Sequence, residues 1–261
     1  MQEYLSLESL TTRIQTHQRY SELADDVENA VQQAVSLSRD ADLLDVGCGT
    51  GAFLRNLAEQ GHRGRLVGLD TSPAAVHALD DVAGVSAQLG NAMDLPYDAA
   101  AFDVVTARHM LYHVPDVRRA LAECRRVLRA EGVFAATVNR PRRHLGCPRS
   151  SPNWCRRRDR HPDCAQLASP RRQSARDDRG DLRRGRRAPV RQRFVFDRPE
   201  PVIAFAAANL SFYGIEPDSA LRPELTRAID AKVRAWFASE VGPWRDPKGY
   251  VICTARQAGR G

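Results

Sequence analysis

The segment at residues 43–51, Leu-Leu-Asp-Val-Gly-Cys-Gly-Thr-Gly, constrains the fold of this chain more than any other feature. Its apolar first half predicts a buried strand, and the three glycines at alternate positions predict a tight loop. Glycine loses more conformational entropy on folding than other residues, so this spacing indicates a backbone that turns sharply and admits a ligand closely. The apolar face of residues 53–58 predicts a helix that directs its free N–H groups toward that ligand.

Short apolar segments recur along the chain and alternate with segments of helical periodicity. The strands predicted after the first are residues 65–70, 85–89, 102–107 and 133–138. A helix is expected from Asp116, with apolar residues at three- and four-residue spacing and Gly132 beyond its end. This alternation predicts right-handed crossovers and a parallel, doubly wound sheet. A last strand at residues 250–255 is expected to close the edge of the sheet in antiparallel fashion.

The 261 residues suffice for one sizeable core with additions but not for two large domains, so we expect one α/β domain. By pattern the chain divides into a helical edge or lid segment (1–40), a ligand-binding core (41–140), an Arg/Pro-rich low-order segment (141–193), and C-terminal helices with the closing strand (194–261). Residues 20–38 predict an amphipathic helix. Residues 1–18 predict either a short lid helix or a frayed terminus.

The positive charge of the chain is concentrated in one segment. Residues 141–193 contain 17 Arg, no Lys and 5 Asp, a net of +12, which leaves −5 for the rest of a chain whose total is +7. The segment has scarcely an apolar residue and is expected to lack stable order. Translation in a wrong reading frame is one interpretation, and an RNA-binding tail is another. Because the remainder is mildly acidic, a nucleic-acid partner is not expected.

Membrane and metal functions are not expected from this sequence. No stretch approaches the ~18 to 20 apolar residues that span a bilayer, and the first residues do not begin a signal peptide, so we expect a cytoplasmic protein. The six cysteines form no C-x-x-C pair, which favours free thiols. Cys147, Cys155, His161 and Cys164 have spacings that match no structural zinc pattern, so no metal site is predicted.

Three further polar features separate the alternative functions of the glycine loop. The loop fits the G-x-G-x-x-G/A spacing, with Asp70 about 20 residues on, which is also typical of dinucleotide binding. However, Asp45 stands where a dinucleotide loop usually carries an apolar residue. Residues 90–97, Gly-Asn-Ala-Met-Asp-Leu-Pro-Tyr, follow the third strand. Residues 109–116 follow the fourth strand, at the carboxyl end where open α/β sheets bind ligands.

With these features the chain resembles the class I S-adenosylmethionine-dependent methyltransferases, and among them the small-molecule group with a type 11-like methyltransferase domain. The resemblance is close over residues 42–139 and loose from residue 194 on. It implies a doubly wound, mostly parallel, seven-stranded Rossmann-like sheet with an antiparallel last strand. It also implies S-adenosylmethionine as the cofactor and a small organic molecule as the methyl acceptor, at O, N or C.

The resemblance implies a role for each residue of the motifs. Asp45 would meet the methionine ammonium, Asp70 would accept both ribose hydroxyls, and Arg108 would border the sulfonium and the acceptor. The three glycines would leave room for the aminoacyl arm, and residues 91–93 would frame the adenine. The remaining residues of the implied cofactor site are these: Gly47, Cys48, Gly49, Gly51, Thr71, Asn91, Ala92 and Met93. The Cys48 side chain itself is expected to pack in the core.

Methyl transfer from a sulfonium requires mainly that the nucleophile is positioned in line with the bond that breaks. A base is useful only when the acceptor is a hydroxyl or an acidic carbon, and His109 and His113 are the predicted catalytic residues, with Tyr112 as a further candidate. For His113, packing against the following helix is the competing interpretation.

Two other classes of function compete with this one. The glycine spacing alone also fits a nucleotide-dependent oxidoreductase. A protein that binds the cofactor without catalysis, or that associates with RNA through residues 141–193, is the second alternative. The sequence leaves the acceptor and the oligomeric state open.

Overall fold

A computed structural model of the chain describes residues 8–23, 26–139, 183–213 and 215–257. The helices are α1 (Glu8–Tyr20), α2 (Val27–Val35), α3 (Ala52–Glu59), α4 (Pro73–His77), α5 (Val117–Val127), α6 (Pro199–Ala208) and α7 (Arg222–Ser239). The strands are β1 (Leu43–Val46), β2 (Leu66–Asp70), β3 (Val85–Leu89), β4 (Phe102–Arg108), β5 (Leu128–Asn139), β6 (Arg183–Phe196) and β7 (Trp244–Arg256).

The strands form one seven-stranded sheet in the order β3-β2-β1-β4-β5-β7-β6. Strands β1 to β5 pair in parallel, and β7 pairs with β5 antiparallel, from Val133 opposite Arg256 to Asn139 opposite Tyr250. The predicted doubly wound, mostly parallel sheet with an antiparallel last strand is therefore confirmed. The expected edge position of residues 250–255 is wrong, because β6 lies outside β7.

The chain divides into two compact units. The sheet unit comprises Val27–Val190 and Tyr250–Gly261, and the helical unit comprises Met1–Asp26 and Arg191–Gly249. In the sheet unit, buried side chains form two apolar clusters, one containing Phe102 and the other Phe53. Burial of both faces explains why most residues of β1 and β4 are apolar, with Asp45 the buried exception in β1.

The helical unit has its own apolar cluster, which contains Phe194, Phe196, Val202, Phe205 and Val233. Phe194 lies 5.0 Å from Phe205 and 5.6 Å from Phe196, measured between ring centroids. These aromatic pairs supply most of the apolar bulk of the cluster and hold β6 against α6.

Two expectations about segments differ from the structure. The amphipathic helix expected over residues 20–38 is confined to α2 (Val27–Val35), and Leu23, an apolar residue of that stretch, is 64% exposed. Residues 140–182 lie outside the described residues, so the low-order interpretation of that part stays a prediction. Residues 183–193, the end of the segment that was expected to lack stable order, lie instead in β6.

The sheet brings the functional loops to one edge. Strands β1, β2, β3 and β4 run in the same direction, so the loops that follow them all leave from their carboxyl ends. No helix in the described part of the chain has the length and apolar character needed to cross a membrane.

Candidate functional site

The glycine loop between β1 and α3 is left-handed at three positions. Gly47, Gly49 and Gly51 have φ angles of 71°, 58° and 72°, a region that side-chain-bearing residues rarely adopt. A Cβ on Gly47 would lie 2.8 Å from Cβ of Met110, and a Cβ on Gly51 would overlap the Leu79 side chain. Gly47 and Gly51 are therefore required by the backbone turn and by close packing of the protein's own side chains.

Asp70 ends β2 and faces the glycine loop. Its Oδ2 accepts a hydrogen bond from the Gly49 N–H at 2.9 Å, and its Oδ1 accepts one from the Ser72 N–H at 3.0 Å. An ionised carboxylate has about four acceptor positions, so Asp70 keeps capacity for two further donors. Ser72 caps α4, while Thr71 is exposed between the two.

Asp45 is fully buried in β1 and is paired with Arg108 at the end of β4. The Arg108 Nη2 lies 2.9 Å from the Asp45 Oδ2, and Thr106 Oγ1 donates to the Asp45 Oδ1 at 2.7 Å. The guanidinium carbon of Arg108 also lies 4.3 Å from the centroid of the Phe53 ring. The structure thus gives Asp45 a cationic partner from within the protein, which the sequence did not indicate.

Burial lowers the pKa of Arg108, but the charge and hydrogen bonds of Asp45 outweigh burial and hold that pKa above its usual value. Arg108 is therefore charged and lies against the Asp45 carboxyl group. Removing either partner would leave a buried charge without compensation. The free energy lost in this way is larger than the free energy that the intact pair contributes to stability.

Residues 91–97, here called the β3 loop, begin with an Asx turn. The Asn91 Oδ1 accepts the Met93 N–H at 2.9 Å, and the backbone of Asn91 bridges to Asp94. Ala92 is buried and Met93 is half-buried, whereas Asn91 is exposed. The three residues predicted to frame an adenine therefore lie together at the start of this loop.

Side chains from α5 hold the rest of the β3 loop. Glu123 Oε2 accepts the Leu95 N–H at 2.8 Å. Arg126 donates to the carbonyls of Leu95 and Tyr97 at 2.8 and 2.6 Å. Arg119 donates to the Met93 carbonyl at 2.7 Å. These three residues were not predicted from the sequence, although residues 119, 123 and 126 are spaced so that they share one helix face.

His109 follows β4 directly and has a φ of 54°, which is uncommon for a residue with a side chain. Its N–H donates to the Thr137 carbonyl at 2.8 Å, and its ring lies 6.1 Å from that of Tyr250. The structure thus places His109 at the carboxyl end of the sheet, where the glycine loop also lies. A left-handed backbone at such a position is the kind of strain found at functional sites.

His113 lies in a short 3-10 helix, Leu111–His113, and is exposed. Its ring contacts the Tyr112 ring at 4.5 Å between centroids. The Tyr112 hydroxyl accepts a hydrogen bond from Asn139 Nδ2 at 3.5 Å, at the end of the neighbouring strand. Met110, three residues earlier, packs against Gly47 of the glycine loop, whereas the side chain of His113 is exposed.

Cys48 is buried in the glycine loop, and burial raises the pKa of its thiol. The thiol is therefore neutral at physiological pH, and its Sγ would lie 3.0 Å from a Cβ on Gly68, which indicates close packing. Within the described ranges no group of three His, Cys, Asp or Glu residues is arranged to hold a metal ion. Cys147, Cys155, His161 and Cys164 lie outside them.

Comparison with known proteins identifies the segment that contains this site. Residues 44–136 match the model of the family described as Methyltransferase domain. The chain is 41% identical over 106 residues to a demethylmenaquinone methyltransferase from Roseiflexus castenholzii, an overlap of 39% of this chain and 44% of that protein. It spans between 37 and 48% of the length of the first curated relatives that it matches.

Solved structures share the fold. The cyclase SpnF has a TM-score of 0.57 at 18% identity, covering 97% of this chain and 94% of its own. A geranyl diphosphate C-methyltransferase from Streptomyces coelicolor A3(2), solved with S-adenosyl-L-homocysteine, has a TM-score of 0.50 at 16% identity, covering 89% of this chain and 78% of its own. Because one neighbour is a cyclase, the fold alone does not fix the reaction. The motif, the family match and the sheet together show that residues 44–136 form a methyltransferase domain of the class I, Rossmann-like family.

Proposed function

We propose that this chain transfers a methyl group from S-adenosylmethionine to a small organic acceptor. The observation that carries the proposal is Asp70, whose carboxylate joins the end of β2 to the Gly49 N–H of the glycine loop. A carboxylate in that position, with acceptor capacity left over, suits the paired hydroxyls of a ribose. The sequence match to a demethylmenaquinone methyltransferase supports a small acceptor.

The other predicted residues fit the same ligand. Asn91, Ala92 and Met93 lie together beyond β3 and would frame the adenine. The N–H of Gly49 is bonded to Asp70, but the missing side chain of Gly49 would leave room on that side of the loop for the aminoacyl arm. Thr71, exposed beside Asp70, borders the ribose. When bound, S-adenosylmethionine supplies a methyl group on a positively charged sulfur, which leaves as a neutral thioether.

The Asp45–Arg108 pair modifies the role predicted for Asp45. A sulfonium about 4 Å from an uncompensated guanidinium would be repelled by about 4 kcal/mol at an effective dielectric constant of 20. Asp45 neutralises Arg108 and so allows a cationic cofactor to lie beside it. Asp45 therefore acts mainly by removing a repulsion, and its pairing with Arg108 weakens the predicted attraction for the methionine ammonium.

His109 is the favoured catalytic base. It follows β4 at the carboxyl end of the sheet, whereas His113 is exposed and contacts Tyr112. For an acceptor hydroxyl, His109 would take the proton as the nucleophile attacks the methyl carbon. Replacement of His109 by Ala is expected to lower turnover more than cofactor affinity. Equal losses in both would show that His109 binds rather than catalyses.

Titration calorimetry with S-adenosylhomocysteine tests the proposal. Asp70→Asn preserves the size of the side chain but removes its charge and one acceptor, and we expect it to abolish measurable binding. Asp81→Asn, an exposed carboxylate beyond α4, is the control and should bind as the wild type does. Unchanged affinity in Asp70→Asn would contradict the ribose assignment.

The alternative functions predict other results. A thermal shift with NAD and none with S-adenosylhomocysteine would identify a nucleotide-dependent oxidoreductase. Binding of S-adenosylhomocysteine without turnover across a panel of acceptors would identify a cofactor-binding protein without catalysis. The cytoplasmic location and the four-segment division of the chain stay predictions.

A further inference from the structure

The β3 loop is held by the side chains of one helix. Its chain cannot form a regular ladder of its own, because Pro96 lacks an N–H and the Asn91 side chain has already closed an Asx turn. The side chain of Leu95 is buried, and its N–H donates to Glu123, while its C=O accepts from Arg126 in addition to the Tyr97 N–H. Buried backbone groups without partners are costly, so these two side chains decide which conformation the loop adopts.

Arg126 and Glu123 form a preorganised unit. Arg126 Nε and Nη2 each donate to the Glu123 carboxylate at 2.8 Å, while Nη2 and Nη1 also donate to the Leu95 and Tyr97 carbonyls. The rigid fork of a guanidinium can make this set of contacts, whereas the single ammonium of a lysine cannot. Arg119, one turn earlier, fixes the Met93 carbonyl at 2.7 Å.

We propose that Arg119, Glu123 and Arg126, here called the α5 clamp, are positioning residues that fix the β3 loop for recognition of the cofactor's adenine. This inference rests on the proposed function, because it takes the adenine to lie against residues 91–93. The clamp touches no substrate and acts through the backbone of the loop. It sets both the affinity for the nucleoside and the discrimination of adenine from other bases.

The charges of the clamp support this role. The hydrogen bonds from Arg126 hold the pKa of Glu123 below its usual range, so Glu123 is an ionised acceptor for the Leu95 N–H at neutral pH. The pKa of Arg126 is raised by the same contact. The unit is therefore charged on both sides throughout the physiological range, and it binds neutral backbone groups through charge-assisted hydrogen bonds.

The test compares two ligands that differ only in the base. Dissociation constants for S-adenosylhomocysteine and S-inosylhomocysteine, which lacks the exocyclic amine, are measured for the wild type and for Arg126→Ala. We expect S-adenosylhomocysteine to bind about tenfold more weakly to the variant, the scale of one charge-assisted hydrogen bond. The inosyl ligand should lose less, so the preference for adenine falls. With S-adenosylmethionine, KM should rise by a larger factor than kcat falls.

Arg125→Ala is the matched control, since it removes a neighbouring arginine of α5 while leaving the hydrogen bonds from Arg119, Glu123 and Arg126 to the β3 loop in place. It should leave both dissociation constants unchanged. Arg119→Ala removes a single exposed contact and keeps the test valid if Arg126→Ala does not fold. Arg126→Lys should restore only part of the preference.

The outcomes separate the two proposals. Unchanged binding in both Arg126→Ala and Arg119→Ala would overturn the clamp while leaving the proposed function intact. Equal loss of both ligands would also overturn it, because a merely structural role does not distinguish bases. Failure of the wild type to bind S-adenosylhomocysteine would instead overturn the proposed function and, with it, the clamp's role toward adenine.

Discussion

The loops that follow β1 and β3 are held in place by different forces. The glycine loop is held by its own backbone, with the Gly47 N–H 2.7 Å from the Leu69 carbonyl, and by packing against Met110 and Leu79. The β3 loop is held by charged side chains of α5. The ion pair beneath the glycine loop has exposures of 0% and 13%, whereas the clamp pair has 18% and 37%.

This difference predicts how each loop should respond to substitutions, salt and pH. A buried pair and close apolar packing tolerate no alteration of volume or charge, and salt screens them little. A half-exposed ion pair is weaker, screened by salt and dependent on pH. Defects near β1 should therefore unfold the sheet unit, while defects in the clamp should alter the ligand before they alter the fold.

The largest effect is expected from Arg108→Met. This change leaves the Asp45 carboxylate buried without its cation and should lower the free energy of unfolding by about 3 to 5 kcal/mol. Urea denaturation measures it. Arg234→Met, which breaks exposed pairs with Asp230 and Glu200, is the control and should cost far less, because solvent screens exposed pairs.

The double variant Asp45→Asn with Arg108→Met tests whether the cost of Arg108→Met comes from the unpaired Asp45 charge. It removes both charges and keeps an acceptor for Thr106, so it should be more stable than Arg108→Met alone. A cost for Arg108→Met as small as that of Arg234→Met would contradict the burial of the pair.

Gly51→Ala is expected to have the next largest effect. The new Cβ would overlap Leu79 in addition to the unfavourable φ of 72°, for a combined cost of about 2 to 4 kcal/mol. Gly61→Ala has a similar φ of 77° but open space around its Cβ, so it isolates the backbone term of about 1 kcal/mol. Equal melting temperatures for the two variants would show that packing against Leu79 is unimportant.

The smallest effect is expected from Glu123→Gln and depends on pH. Because Arg126 lowers the pKa of Glu123 in the folded state, the ionised form stabilises the protein above the unfolded pKa of about 4.3. That stabilisation is lost as the pH falls through the folded pKa. The difference in unfolding free energy between wild type and Glu123→Gln should therefore be present at pH 7 and should diminish below pH 4. A difference that stays constant with pH would contradict the ion pair.

Much of this arrangement follows from local sequence. The glycine spacing and the strand before it predicted the loop, and the second apolar segment predicted that Asp70 ends a strand; its bond to the Gly49 N–H was not predicted. The alternation of strands and helices predicted the parallel sheet. These features depend on residues close together in the chain or on general rules of chain topology.

The remainder depends on pairings between distant residues. Arg108 meets Asp45 across 63 positions because β1 and β4 are neighbours in a particular register, which periodicity does not specify. The clamp likewise joins Leu95 to Glu123 across 28 positions. The sequence indicated that Gly51 leaves space for a ligand. Its packing against Leu79 depends on how α3 and the segment after α4 are placed, which the sequence pattern does not specify.

A crystal structure of the full chain with S-adenosylhomocysteine tests the central claim most directly. Our account predicts the two ribose hydroxyls about 2.6 to 3.0 Å from the Asp70 carboxylate and the adenine against residues 91–93. A ligand bound away from Asp70, or a ribose whose hydroxyls are held by other residues, would contradict it.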